Sequence, residues 1–230
     1  MIIILLHLII CDSAIELLPA NIASKLNNRG TSKKNPKTIN EILLDRSYHH
    51  FYMRDLKNGE KRGRPDLIHS SILSATSTPL FMDNLLKVYI HTVNDEVIFL
   101  SDGVRLPKSY NRFVTLMAQL LKNKRIESND EVLLELKHMS ITELISKINP
   151  DSVIALSKKG TSTNLLSLSK HLCTMTNPVV IVGGFPRGYF SNGVSSSFNE
   201  LYSIHKYSLE LHTVISRLVY SYECVLTDLL

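Results

Sequence analysis

Short apolar runs alternate with polar, turn-rich segments along the chain, and the most abrupt of these changes follows residues 179–182. Their β-branched side chains predict a buried strand, and the glycines and proline of residues 183–188 end it sharply. A second apolar stretch, residues 201–204, stops just before the polar loop 205–208. Two strand ends so close together predict a small-molecule pocket at the carboxyl edge of a sheet. An ordinary sharp turn explains the glycines equally well.

Strand and helix patterns alternate regularly in the last third, which predicts an α/β fold with a mostly parallel sheet and helices on both faces. The opening apolar run fits a buried first strand, because no basic residue precedes it and no cleavage pattern follows it. Its length is also about half of the ~20 residues that a membrane-spanning helix requires. The predicted strands are 2–10, 132–136, 153–156, 179–182 and 201–204, and the predicted helices are 13–18, 48–55, 67–75, 110–122, 141–148, 164–171 and 209–223.

The middle of the chain departs from this alternation. Residues 85–92 and 96–100 flank Asn94 and Asp95, which predicts a β-hairpin. Ser109 is suited to cap the helix that follows. The resulting division is one domain, residues 1–230, with an insertion at about 84–125 and basic, mobile loops at 27–40 and 57–64.

Composition restricts the class of protein only slightly. A chain of 230 residues with 44% hydrophobic residues can bury one full core, and its formal net charge of +5 is compatible with a nucleic-acid partner without requiring one. Cys11, Cys173 and Cys224 are scattered, which argues against a disulfide framework or a zinc site and fits the reducing cytoplasm. The chain contains no P-loop, no G-x-G-x-x-G, no G-x-S-x-G and no H-E-x-x-H motif, so the usual signatures of other enzyme classes are missing.

Basic residues form groups that indicate contact with RNA. Arg105, Lys108 and Arg112 lie at and just before a predicted helix N-terminus, where unpaired backbone N–H groups already attract phosphate. Arg62 and Arg64 form a second group. A third basic group, and the aromatic residues that could stack on an unpaired base, are Lys122, Lys124, Arg125, Tyr48, Tyr110 and Phe113. Solvated surface charge is the competing interpretation of each group, most of all for the third.

Five motifs in a fixed order are more specific than any single pattern. They are residues 64–73 (RPDLIHSSIL), 105–113 (RLPKSYNRF), 117–121 (MAQLL), 182–188 (VGGFPRG) and 203–207 (SIHKY). Together they resemble the ribosomal small-subunit RNA pseudouridine N1-methyltransferases, ribosome-biogenesis enzymes of the SPOUT class, in their archaeal form. The resemblance runs from about residue 43 to the C-terminus, and the strand at 2–10 also fits it.

The resemblance implies a homodimer with a C-terminal trefoil knot whose loops hold S-adenosylmethionine, with no metal. It places Arg64 and Asp66 in the active site, where Asp66 either accepts the proton of the acceptor nitrogen or only caps its helix. By motif match, the implied cofactor-binding residues are Leu156, Gly183, Gly188, Ile204, His205, Lys206, Tyr207, Ser208 and Leu209. The expected RNA-binding residues are Arg62, Arg64, Arg105, Lys108 and Arg112, and Arg64 and Arg105 are expected to bind RNA and not the cofactor.

Three positions depart from the family's pattern. Lys108 stands where arginine is usual, which exchanges a bidentate phosphate contact for a point charge. Ser208 replaces a frequent proline, and Asp102 with Gly103 replaces a common Asn-Pro pair. The expected partners are small-subunit ribosomal RNA, a second copy of the chain, and ribosomal proteins or assembly factors, in the cytoplasm and without a membrane.

Two other functions stay open at this point. The protein either binds ribosomal RNA as an assembly factor without methylating it, or methylates a uridine or another RNA such as tRNA. The terminal helix has a broad apolar side that packs on its own sheet or forms a subunit interface.

Overall fold

The computed structural model describes residues 5–28 and 41–229, and within these ranges a mixed eight-stranded sheet forms its centre. The strand order is β4-β5-β3-β2-β1-β7-β6-β8, and four of the seven neighbouring pairs are parallel. The strands are β1 (Leu6–Ser13), β2 (Leu86–Thr92), β3 (Glu96–Leu100), β4 (Arg125–Ser128), β5 (Glu131–His138), β6 (Val153–Ser162), β7 (Val179–Gly183) and β8 (Glu200–Ser203). The predicted α/β class with a mostly parallel sheet is confirmed.

Helices cover both faces of this sheet. The α-helices are α1 (Ala20–Asn28), α2 (Arg46–His49), α3 (Pro65–Thr76), α4 (Pro79–Met82), α5 (Tyr110–Asn123), α6 (Ile141–Ile148), α7 (Leu165–Leu172), α8 (Asn192–Ser195) and α9 (Leu211–Leu229). Along β1, Leu8 and Ile10 pack into the core beneath α3, α5, α7 and α9, whereas Ile9 and Cys11 pack into the core beneath α6 and α8. Successive side chains of a strand point to opposite faces, so a strand covered on both sides has to be apolar throughout.

The region predicted as an insertion begins too early at residue 84. Strand β2 pairs in parallel with β1, with Leu8 opposite Val88, so it belongs to the parallel core. The predicted hairpin is present, because β3 returns antiparallel to β2 with Tyr89 opposite Phe99. The antiparallel extension of the sheet therefore consists of β3, β4 and β5. Sequence pattern missed this boundary because parallel partners are distant in the chain.

Three local predictions also differ from the structure. Residues 13–18 form no helix, because Leu17 makes an antiparallel bridge to Leu43 and helix α1 starts only after Pro19. The predicted helix 48–55 is split into α2 and a 3-10 turn, His50–Met53. Ser109 stands at the N-cap of α5, yet its side chain makes no capping hydrogen bond.

Of the two predicted basic loops, the structure describes the second in full and only the first two residues of the other. Residues 27 and 28 end α1, and residues 29–40 lie outside the described part of the chain. Residues 57–64 contain a 3-10 turn, Gly59–Lys61, and make contacts with neighbouring segments. The carbonyl of Gly63 accepts a hydrogen bond from the Arg46 amide at 2.9 Å, so this segment is packed against the fold. The predicted strand residues 2–4 also fall outside the described ranges.

Strand β6 makes two separate contacts with β8. Leu156 lies opposite Tyr202, and after a bulge Thr161 lies opposite the same residue. Between them, Gly160 approaches the β8 backbone so closely that an added Cβ would lie 2.4 Å from the carbonyl carbon of Tyr202. The segment after Leu156 therefore crosses directly against the end of β8.

Candidate functional site

A cavity of about 330 Å³ opens beside the bulge of β6 and the ends of β7 and β8. The carboxyl ends of parallel strands commonly carry ligand sites, because the loops that leave the sheet there diverge around a crevice. Three segments form its walls: the bulged part of β6 after Leu156, the glycine loop at 183–190, and the loop at 203–210 before α9. The predicted pocket at this edge is therefore present as a cavity.

The glycine loop is held against β1 by its backbone. The Gly184 amide donates to the carbonyl of Cys11 at 2.7 Å, and the Ala14 amide donates to the carbonyl of Gly184 at 2.8 Å. A Cβ at position 184 would lie 2.5 Å from Ser13 Oγ and 2.8 Å from Ser13 Cα. Glycine is required here by close approach of two backbones.

A buried carboxylate fixes the far end of the same loop. Asp12 accepts hydrogen bonds from the Ser191 amide at 2.6 Å and the Ser191 hydroxyl at 2.9 Å. Only 6% of Asp12 is exposed, and its φ of 51° places it in the left-handed region. A buried carboxylate needs such donors to remain stable, so this contact ties the loop firmly to the end of β1.

Lys61 crosses the outside of the glycine loop. Its ammonium group donates to the Tyr189 carbonyl and lies 4.9 Å from the centre of the Phe185 ring. At Gly188, where φ is +99°, an added Cβ would lie 3.0 Å from Lys61 Cε. Lys61 therefore connects the 57–64 segment with the loop that lines the cavity.

Eight of the nine predicted cofactor residues line this cavity. Lys206 is the ninth; it is exposed, and it is absent from the described residues that line the cavity. Sequence reasoning missed other lining residues, which are Ser157, Lys158, Val182, Phe185, Pro186, Arg187, Tyr189, Phe190, Ser203, Glu210, Leu211 and Val214, together with Arg64 and Leu67 from α3 and its start. Half of these fourteen residues lie inside the motifs 64–73, 182–188 and 203–207, although no cofactor role was assigned to them. Most of the others lie within a few residues of a motif or of Leu156, so extending those segments would have included them.

Arg64 forms an ion pair with Asp66 at the rim of the cavity. Arg64 Nε donates to Asp66 Oδ1 and Nη2 donates to Oδ2, both at 2.8 Å. Burial raises the pKa of the Asp66 carboxyl, but the hydrogen bonds and charge of Arg64 outweigh it, so the pKa lies below the ordinary 3.8. Asp66 is therefore ionised at neutral pH. Arg64 also lines the cavity, and Asp66 is close enough to Tyr110, at the start of α5, to contribute to raising the pKa of its hydroxyl after burial and Asp45.

Two motifs that are distant in the chain pack together beside this ion pair. The His69 imidazole is hydrogen-bonded to the Pro107 carbonyl at 2.8 Å, and its ring stacks on Phe113 at 4.5 Å. The Tyr110 hydroxyl donates to the buried Asp45 carboxylate at 2.5 Å. Burial and this hydrogen bond raise the pKa of Tyr110, so its hydroxyl stays protonated. These contacts bring the start of α5 next to the start of α3.

The predicted basic group on α5 is exposed. Arg105, Lys108 and Arg112 all lie at the surface, and none of them forms an ion pair or side-chain hydrogen bond with any residue in the described ranges. We call these three residues the basic face. Cations without protein partners at a helix N-terminus are suited to phosphate.

Arg62 forms an ion pair with a buried carboxylate. Its Nε and Nη2 donate to the two carboxylate oxygens of Glu16 at 2.7 and 2.5 Å, and Nη1 faces the Lys57 carbonyl at 3.4 Å. The Glu16 side chain is only 2% exposed and that of Arg62 18%. The guanidinium therefore compensates a buried charge, and the RNA contact expected of Arg62 stays a prediction.

Other kinds of site find no support in the part of the chain that the structure covers. No group of three or more His, Cys, Asp or Glu side chains is arranged to hold a metal ion there. Among the helices of these ranges, none is both long and apolar enough to span a bilayer.

Comparison with known proteins agrees with this arrangement. The solved structure of Archaeoglobus fulgidus Nep1 bound to S-adenosylhomocysteine matches with a TM-score of 0.81 and 30% sequence identity, over 96% of this chain and 98% of that one. The fold is thus that of a methyltransferase whose solved structure contains S-adenosylhomocysteine.

Sequence comparison gives the family. The model for the EMG1/NEP1 methyltransferase family matches residues 8–223. The ribosomal RNA small subunit methyltransferases Nep1 of Thermococcus sibiricus and Pyrococcus furiosus are each 39% identical, over 219 and 218 residues. These alignments cover 95% of this chain and 98% and 96% of the relatives. The chain belongs to the EMG1/NEP1 methyltransferase family, as its motifs indicated.

Proposed function

We propose that the protein transfers the methyl group of S-adenosylmethionine to the N1 nitrogen of a pseudouridine in small-subunit ribosomal RNA. The observation that carries this proposal is the junction at Arg64, where the cavity at the strand ends meets the basic face. Family membership supports the reaction class, since the relatives are named as small-subunit rRNA methyltransferases. The pseudouridine acceptor comes from the resemblance of the five motifs.

The cavity fits an adenosyl ligand in size and lining. Its volume falls in the range of about 300–1,000 Å³ that is usual for small-molecule sites. Leu156, Val182 and Ile204 offer apolar surface to a base, and Gly183 and Gly188 line the cavity without side chains of their own. Phe185 and Tyr189 add aromatic surface on the other wall. We therefore assign the predicted cofactor residues, apart from Lys206, to this site.

The bound cofactor supplies an activated methyl group, so the protein's own work is mainly positioning. Holding the reacting atoms in line can account for several kcal/mol of barrier lowering. When the N1–CH₃ bond forms, the S–CH₃ bond breaks and the N1 proton leaves to solvent or to a nearby base. Asp66 is a weak base because its pKa is lowered and both its oxygens accept from Arg64. We assign it first to holding Arg64 at the rim.

The basic face would bind the phosphates around the target nucleotide. Arg105, Lys108 and Arg112 have the charge and exposure for this, while Tyr110 and Phe113 are committed to internal packing. Tyr48 is 75% exposed and stands beside this surface on α2, so it is the better aromatic residue for stacking on an unpaired base. Contacts to the phosphates fix the position of the RNA on the basic face, and the target base enters the cavity beside Arg64.

The knot and the dimer belong to the same proposal. The crossing of Gly160 over β8 is what a threaded C-terminal segment requires. For the dimer, exposed apolar side chains lie on three neighbouring helices: Met82 on α4, Leu166 on α7 and Tyr220 on α9. Helix α9 packs against α7, and Glu223 accepts a hydrogen bond from the Leu80 amide of α4, so these helices form one surface. A second copy would cover it.

A methylation assay tests the proposal against its alternatives. Two RNA hairpins of identical sequence carry pseudouridine or uridine at one position, and mass spectrometry locates any methyl group added from S-adenosylmethionine. The proposal predicts methylation of N1 in the pseudouridine hairpin alone. Methylation of uridine would indicate another substrate. RNA binding without methylation and without cofactor binding would indicate an assembly factor, whose cellular partners would be ribosomal proteins in the cytoplasm.

A further inference from the structure

Among the described residues that line the cavity, Glu210 is the sole carboxylate. The other charged lining residues are the cations Arg64, Lys158 and Arg187. Glu210 has no ion pair and no side-chain hydrogen bond to any residue of the described ranges. Glu210 is solvent-exposed, so its carboxylate is free to contact a ligand group of positive charge in the cavity.

The main chain of Glu210 is fixed, although its carboxylate is not paired. Its carbonyl accepts hydrogen bonds from the amides of Thr213 and Val214 at 3.0 and 3.1 Å, which begins helix α9. Arg64 is close enough for the charge of Glu210 to raise its pKa, but Asp66 already occupies Arg64 with two hydrogen bonds. Glu210 therefore lines the cavity from a set backbone position, and its carboxylate makes no hydrogen bond to a side chain of the described ranges.

We propose that Glu210 recognises the positive charge of the methyl donor and so lets the site prefer S-adenosylmethionine over the demethylated product. This inference rests on the function proposed above. The donor carries a sulfonium, an ammonium and a carboxylate and has a net charge of +1, whereas S-adenosylhomocysteine lacks the sulfonium charge and is neutral. A carboxylate near the sulfur thus attracts the donor more strongly than the product.

Of the two positive groups of the methyl donor, the sulfonium fits the position of Glu210 better than the ammonium group does. The methyl group has to face the acceptor nitrogen, so the sulfur must lie on the side of the cavity that is open to RNA. Arg64 and Glu210 both line the cavity, and they directly precede α3 and α9, two helices that pack against each other. Lys158 and Arg187 remain for the carboxylate of the ligand.

Calorimetric titration of Glu210→Gln with three ligands tests this inference. S-adenosylmethionine and S-adenosylhomocysteine differ in the charge at sulfur, and sinefungin replaces the sulfonium with a protonated amine that cannot be transferred. We expect affinity for the donor and for sinefungin to fall roughly three- to tenfold, and affinity for S-adenosylhomocysteine to change less than about twofold. Glu131→Gln on β5 removes an exposed carboxylate far from the cavity and serves as the matched control.

Failure of the proposed function and failure of the inference about Glu210 give different results in this titration. If the wild-type protein binds none of the three ligands, the proposed function itself fails. If it binds them and Glu210→Gln weakens all three equally, Glu210 faces the ammonium group and the inference is overturned. If no affinity changes while the melting temperature drops, Glu210 only stabilises the start of α9, which overturns it as well.

Discussion

The cavity and the basic face meet at Arg64, but they are built in opposite ways. The walls of the cavity are chain segments anchored to the sheet, and buried contacts such as that of Asp12 with Ser191 hold them in place. The basic face consists of exposed side chains, Arg105, Lys108 and Arg112, that touch little else in the described protein. Damage to the first should therefore disturb folding and binding together, whereas damage to the second should affect RNA alone.

The two regions also differ in what a substitution can reveal. A loop held by backbone hydrogen bonds has no single side chain to remove, so adding atoms is the informative change. Exposed cations can be removed without leaving a buried group unsatisfied, so their loss measures binding directly.

Replacing Gly160 with alanine should destabilise the protein by more than about 3 kcal/mol, because the new Cβ would collide with backbone of β8 that cannot move aside. Urea unfolding followed by circular dichroism measures the loss. Gly193→Ala is the matched control, since a Cβ there meets nothing within 4 Å. Equal stability of the two variants would mean that residues 157–161 do not cross β8 as described.

Replacing Arg62 with alanine should cost about 2–3 kcal/mol of stability, because it leaves the Glu16 carboxylate buried and unpaired. The same unfolding experiment measures it, and the RNA affinity of the folded variant should remain at the wild-type value. Lys57→Ala, in the same segment but exposed, should change neither quantity. If the variant kept its stability but bound RNA more weakly, Arg62 would be an RNA-binding residue and the prediction would be wrong.

Removing the basic face with Arg105→Ala, Lys108→Ala and Arg112→Ala together should weaken RNA binding about 30-fold, or ~2 kcal/mol, while affinity for S-adenosylhomocysteine stays within about twofold. The slope of log affinity against log salt should fall by about 2, since each lost phosphate contact contributes roughly 0.7. Fluorescence anisotropy at several salt concentrations measures both. Lys170→Ala on α7 is the control, and an unchanged salt slope in the triple variant would place the RNA elsewhere.

Replacing Asp66 with asparagine should have the smallest effect on stability, a few tenths of a kcal/mol, because the ion pair is about half exposed. The carboxyl has a lowered pKa in the folded protein, so it stabilises the fold above pH 3.8, and this contribution is lost as the pH falls through the lower, folded-state pKa. The stability difference between wild type and variant should thus be constant from pH 5 to 7 and shrink below pH 4. A difference that grows on acidification would show that the pKa is raised instead.

Sequence reasoning succeeded where the deciding interactions are local or periodic. Helix α6 occupies the predicted residues 141–148, because its apolar period is supported by a capping box between Ser140 and Glu143. The ends of β7 and β8 were also marked by glycine and polar residues next to apolar runs. From these ends alone, the existence and the place of the cavity could be predicted.

Prediction failed where the deciding contact joins distant residues. Asp12 and Ser191 are 179 positions apart, and no local pattern connects them. Arg62 looked like a free surface cation because its partner Glu16 lies in a segment that was expected to be helical. Lys61 likewise gave no signal, although it contacts both the backbone and an aromatic ring of the glycine loop.

The most direct test of the central claim is a crystal structure with S-adenosylhomocysteine and a pseudouridine hairpin bound together. The account predicts the adenosine among Leu156, Gly183 and Ile204, phosphates on the basic face, and the sulfur opening beside Arg64 toward N1, so that a methyl group on it would lie about 3–3.5 Å from that nitrogen. A nucleoside bound outside this cavity, or RNA lying on another surface with its base far from Arg64, would contradict it.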